Sequence, residues 1–131
     1  MPQLSPITLI DSQGVGIEYK PRDISQGVAK LASPTGVPIG DPSLTISRTQ
    51  TAAGRHKVTV KLAMPEIQKN TINGVDRPTV ARTAYADLTF SFDGGSTSAE
   101  RLDMMTQVSY LLAKDFQPFM VAVVRDGEGI Y

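Results

Sequence analysis

Between Pro42 and Pro65 the chain carries Arg48, Arg55, Lys57 and Lys61 and no aspartate or glutamate. Cations grouped in this way hold phosphates and displace their counterions. Thr45, Ser47 and Thr59 lie among them, and their hydroxyls can donate to phosphate or to the 2′-OH of RNA. Further on, Tyr85 offers a ring on which an unpaired base can stack, a contact that contributes roughly 1–3 kcal/mol. Asp87 repels phosphate, but it can accept hydrogen bonds from a base edge and so add specificity. Together these residue types are suited to holding nucleic acid.

The bulk charge alone would not reveal this. Thirteen basic and thirteen acidic side chains cancel, so the basic patch sits inside a neutral protein. Catalytic alternatives lack parts. There is no cysteine, which removes disulfides, thiol chemistry and cysteine-based zinc sites. The single histidine, His56, leaves a histidine metal site or relay without partners and reads as a structural strand residue. Asp11, Asp41, Asp87, Asp93 and Glu100 form no pair with catalytic spacing, and Ser12 and Ser47 make no nucleophilic arrangement with His56. No glycine loop for phosphate is present; Gly94-Gly95 reads as a strand terminator. The expectation is therefore no enzyme, no metal and no cofactor. No apolar run reaches the length of a membrane span, and no basic-then-apolar start marks a secretory signal.

Local structure must put the binding residues on one surface. The 131 residues suit one domain, with a hairpin over 1–20, a sheet over 28–92 and helices over 97–125. Ile7–Asp11 and Ile17–Lys20 flank a turn at Ser12-Gln13-Gly14. Val28–Leu31 is a candidate third strand. Pro34, Gly36, Pro38, Gly40 and Pro42 mark 33–43 as a loop. Leu44–Arg48, His56–Met64 and Val80–Phe92 alternate with period two, and Asn73-Gly74 signals a tight hairpin turn. Thr97-Ser98-Ala99-Glu100 is a capping box, followed by Leu102, Met105, Ser109 and Leu112 at helical spacing. Pro118 suits the start of a second helix over Phe119–Val124. Strands first and helices last indicate an α+β fold, with helices on one side of an antiparallel sheet.

Alternation gives that sheet an oily and a polar face. Leu44, Ile46, Val58, Val60, Leu62, Leu88 and Phe90 share the even parity; Thr45, Ser47, Lys57, Thr59, Lys61, Tyr85 and Asp87 share the odd one. One subunit's helix pair is small for so long an oily face, which points to helices from a partner. A polar strand face is also what plain solvation produces, and threonine is a good strand former, so both readings of the odd face stand. Arg48 is a misfit: it falls on the oily parity, by snorkelling at a strand end or through a shifted register.

Arg82-Thr83-Ala84-Tyr85-Ala86-Asp87-Leu88-Thr89-Phe90-Ser91-Phe92 closely resembles the long strand in coat proteins of single-stranded RNA bacteriophages, the levivirus (Fiersviridae) family, above all its Q-beta-like branch. Gly27-Val28-Ala29, Lys57-Val58-Thr59-Val60-Lys61, Asn73-Gly74-Val75 and Gly129-Ile130-Tyr131 extend the resemblance over essentially the whole chain. The resemblance implies an N-terminal β-hairpin, a five-stranded antiparallel sheet and two C-terminal helices, intertwined as a homodimer whose helices clasp the partner's sheet. It implies a T=3 icosahedral shell, a place in the virion, assembly in the bacterial host cytoplasm, and a minor maturation protein as companion. It also implies binding of a genomic RNA hairpin at the replicase start, which represses translation and promotes packaging. By position, Tyr85 would stack on a loop base. Thr45, Ser47, Thr59 and Lys61 would line base pockets or touch phosphate. Arg55 and Lys57 would meet the hairpin backbone, Val28 would add an apolar contact, and Asp87 would match the Q-beta-like branch. The chain departs from some relatives in lacking cysteines around an expected loop at Gln68–Thr79, and in having Thr49 and Ala63 where others carry charge. A small dimeric RNA-binding protein that forms no shell is the alternative.

Overall fold

A computed structural model describes residues 3–35 and 38–130. The chain forms two units, Met1–Ser91 and Phe92–Tyr131. The first holds an antiparallel sheet of six strands in chain order: β1 (Ile7–Ile10), β2 (Gly16–Ser25), β3 (Val28–Ala32), β4 (Ser43–Gln50), β5 (His56–Ile72) and β6 (Val75–Phe92). The second holds α1 (Ser98–Leu111) and α2 (Pro118–Val124).

Turn chemistry sets the strand ends. The Asp11 carboxylate accepts from the amides of Gln13 at 2.9 Å and Val15 at 3.0 Å, which closes the first hairpin. Asn73 and Gly74 have φ of 52° and 77°, the two left-handed residues that a tight turn of this hand requires. At the start of α1 the Glu100 amide donates to the Thr97 hydroxyl and the Thr97 amide to the Glu100 carboxylate, each at 3.2 Å. The expected capping box is therefore formed. Pro118 opens α2, where its missing N–H is harmless.

Two expectations need correction. The sheet has six strands rather than five beside a separate hairpin, because β2 does not stop at Lys20. It runs through a register shift between Pro21 and Asp23 and pairs with β3 as far as Ser25 opposite Val28. A bulge absorbs the proline, which has no amide to give to the ladder. The stretch Gln68–Thr79 is not a loop either. β5 and β6 continue to the Asn73-Gly74 turn, braced by Thr71 Oγ1 to Asp76 at 2.7 Å and Asn70 Nδ2 to Thr79 Oγ1 at 3.1 Å. Pairing between β4 and β5 ends at Ser43 opposite Ala63. Pro65 lies past that last pair, so its missing amide takes nothing from the β4–β5 ladder.

In the loop before β4, Pro38–Gly40 forms a single 3-10 turn, whereas Gly36 lies outside the described residues, as does Tyr131. Gly40 is needed there because any Cβ would collide with Ile67 of β5. Asp41 ties this loop down. Its Oδ1 accepts from the Thr35 amide at 2.9 Å and the Thr35 hydroxyl at 2.8 Å, and Arg22 stands 3.9 Å away. Those bonds, the amide first, hold the Asp41 carboxyl below its ordinary value, with the Arg22 charge a smaller contribution. A depressed carboxyl stabilises the fold above the usual carboxylate range, and that contribution fades as pH falls through the lowered value. Asp41→Asn should therefore lower the urea midpoint at pH 7, and the gap to wild type should close in strong acid. An equal gap at both pH values would refute this role.

Tyr19, Leu31 and Leu44 are buried, with Leu4, Ile7, Leu9, Ile17, Ile46, Val60 and Leu62 packed around them. Register explains the cluster: Ile7 faces Tyr19, and Leu31, Leu44 and Leu62 stand in one row. Burial pushes the Tyr19 phenol above its ordinary value. This core is small. Among the described residues of α1 and α2 none is buried, and Leu102, Met105, Leu112 and Phe119 are each about three-fifths exposed.

Candidate nucleic-acid interface

Residues directly opposite each other in an antiparallel pair lie on the same face of the sheet. Three rows of paired residues therefore assemble the polar face. Val28 faces Ser47, which faces Thr59. Lys30 faces Thr45, which faces Lys61. Thr49 faces Lys57. No register shift interrupts β3–β4 or β4–β5, so the odd parity of β4 and β5 is one continuous surface. Lys57 and Lys61 are exposed; Val28, Thr45, Ser47 and Thr59 are half-buried between neighbours, as expected of short side chains in the middle of a sheet.

β6 follows β5 in the strand order. Arg55, in the turn before β5, donates from Nε to Ser91 Oγ at 2.7 Å, which ties the two polar edges together. Alternation back from Ser91 then carries Thr89, Asp87 and Tyr85 on one side of β6. Exposure follows the same period: Asp87, Thr89 and Ser91 are exposed, whereas Leu88, Phe90 and Phe92 are half-buried. Tyr85 is 76% exposed, a large ring open to solvent among the described residues. A ring so exposed is accessible to an unpaired base. Arg55 is partly committed, because Nε bonds Ser91, but a guanidinium has five N–H donors and the others lie outside that bond.

Arg48 resolves the parity misfit. It stands opposite Val58 in an unbroken register, so it lies on the oily side. It remains exposed at the strand end and donates from Nη2 to His56 Nδ1 at 2.7 Å. The histidine therefore has a structural partner, and Arg48 does not join the cations of the polar face. Lys30 does. Sequence reasoning passed over it, although it lies two residues after Val28 in the same strand, the spacing that returns a side chain to the same face. Asp23 faces Lys30 across β2–β3, at the β2 end of that row.

Comparison with known proteins bears on the family and the fold. A family model described as levivirus coat protein matches residues 2–131. The chain is 35% identical to the capsid protein of Pseudomonas phage PRR1, covering 98% of this chain and 99% of that one. It is 39% identical to the capsid protein of Qbeta virus strain MX1, covering 86% and 89%. The fold superposes on that of a virus-like particle of Beihai levi-like virus 21 with a TM-score of 0.86, at 21% identity, over 99% of both chains.

Proposed function

Because this chain belongs to the levivirus coat protein family, we propose that its dimers build a T=3 icosahedral phage shell and bind a hairpin of the genomic RNA on the polar sheet face. It is a structural capsid protein and not an enzyme. Its finished place is the virion, reached by assembly in the bacterial host cytoplasm, with a minor maturation protein as companion.

Cross-strand register carries the RNA part of this proposal. It gathers Val28, Thr45, Ser47, Thr59, Lys57 and Lys61 on one uninterrupted surface. The roles expected of them follow from their chemistry. Lys57, Lys61 and the free donors of Arg55 neutralise phosphates. Thr45, Ser47 and Thr59 donate to phosphate or 2′-OH groups, and Val28 packs against a base or sugar. Tyr85 stacks an unpaired loop base, and Asp87 reads its edge. A hairpin held in this way at the replicase start would block translation of that gene and mark the RNA for packaging.

The dimer part is supported by what one chain leaves uncovered. β6 ends the strand order, so its outer edge is open for pairing with a second copy. Apolar side chains of both helices are exposed, and so are Met64, Val80, Ala84 and Ala86 along β5 and β6. Helices laid over a partner's oily sheet face would bury both sets.

Expression in bacteria, electron microscopy and sequencing of co-purified RNA test the whole proposal. The expected result is regular particles whose RNA is enriched in one hairpin of the coat protein's own genome. Dimers that bind RNA but form no particles would leave only a small RNA-binding protein. Particles holding RNA in proportion to cellular abundance would remove the operator role.

A further inference from the structure

We propose that Lys30 is a further RNA-binding residue, one that holds a backbone phosphate at the β3 side of the polar face, with Asp23 marking where the bound strand ends. The inference rests on the proposed RNA role of that face. Asp23, Lys30, Thr45 and Lys61 form one cross-strand row over β2, β3, β4 and β5. Lys30 and Lys61 are two inter-strand steps apart, about 10 Å, with a hydroxyl between them. Both lysines are exposed, and no ion pair within 4.0 Å engages either one among the described residues.

Charge along the row changes sign at its β2 end. A phosphate moving from Lys61 past Thr45 to Lys30 stays beside cations or a donor. One step further it meets the Asp23 carboxylate, which repels it. The row therefore has a direction and a stop. An ammonium acts as a point charge on phosphate, so Lys30 should strengthen binding to RNA of any sequence and leave base preference to Tyr85 and Asp87.

Salt dependence of binding tests this, with short polyuridylate as probe and RNA-free wild-type dimers as reference. Losing one single-strand phosphate contact lowers the log–log salt slope by about 0.7, which is about fivefold in affinity at about 0.1 M salt. Lys30→Ala should show both changes, Lys30→Arg should restore the slope, and Asp23→Asn should tighten binding. Lys61→Ala serves as the control for the face itself. If Lys61→Ala lowers the slope and Lys30→Ala does not, the inference fails while the RNA face stands. If Lys30→Ala lowers only the urea midpoint, Lys30 is a cross-strand partner of Asp23 and nothing more. If wild type binds no RNA, the parent proposal fails and takes this one with it.

Discussion

Leu112→Asp is expected to abolish particle formation while leaving the secondary structure of the chain in place. Leu112 caps the end of α1 and is 59% exposed, on the same stripe as Leu102 and Met105 at 62% and 61%. Within one chain, then, a carboxylate at this position stays in water and costs little. In the proposed dimer the stripe lies against a partner's apolar sheet face, and the same carboxylate loses its water and gains no cation. An uncompensated buried charge costs about 3–5 kcal/mol. A two-fold interface repeats the contact, so the penalty is felt twice. Each 1.4 kcal/mol is tenfold in an equilibrium constant, so dimers should disappear at any practical concentration. Size-exclusion chromatography and electron microscopy read the result, circular dichroism checks the fold, and Leu112→Met should assemble. Particles at wild-type yield from Leu112→Asp would show that this face of α1 is not in the dimer.

Some elements were legible in the sequence because their signals are local. Thr97 and Glu100 satisfy each other's amides within one turn of chain, and Asn73-Gly74 needs only its own two left-handed residues. Alternation over Leu44–Arg48, His56–Met64 and Val80–Phe92 was legible too, because side chains change face at every residue of a strand; exposure follows that period most clearly over Leu88–Phe92. What escaped depends on distant partners. Pro21, Pro65 and Pro78 argue against strands when read locally. They are tolerated here because a bulge lies beside the first, the second stands past the last β4–β5 pair, and the third lies in β6, which ends the strand order. Gly40 is legible only once Ile67 is known to pack against it. Lys30 escaped because a five-residue strand carries too little alternation to reveal its parity; pairing with Thr45 settles it.

Tyr85→Ala should weaken binding of the genomic hairpin about 5- to 150-fold and leave particles intact, the opposite pattern to Leu112→Asp. The magnitude is that of one base–aromatic stack, roughly 1–3 kcal/mol. Selectivity for RNA binding follows from exposure. The Tyr85 ring is 76% exposed, so its removal opens no cavity in the chain. The residues that follow it on that side of β6, Asp87 and Thr89, are exposed as well. Tyr85→Phe separates the ring from its hydroxyl and should retain most of the affinity if stacking is the source. Because stacking neutralises no phosphate, the salt slope of Tyr85→Ala should equal that of wild type, unlike Lys61→Ala. Gel-shift titrations with the hairpin recovered from particles, repeated from about 50 to 200 mM salt, distinguish these outcomes. Unchanged affinity would remove the base-stacking role from Tyr85, and a lowered slope would mean that its loss disturbs the neighbouring cations instead.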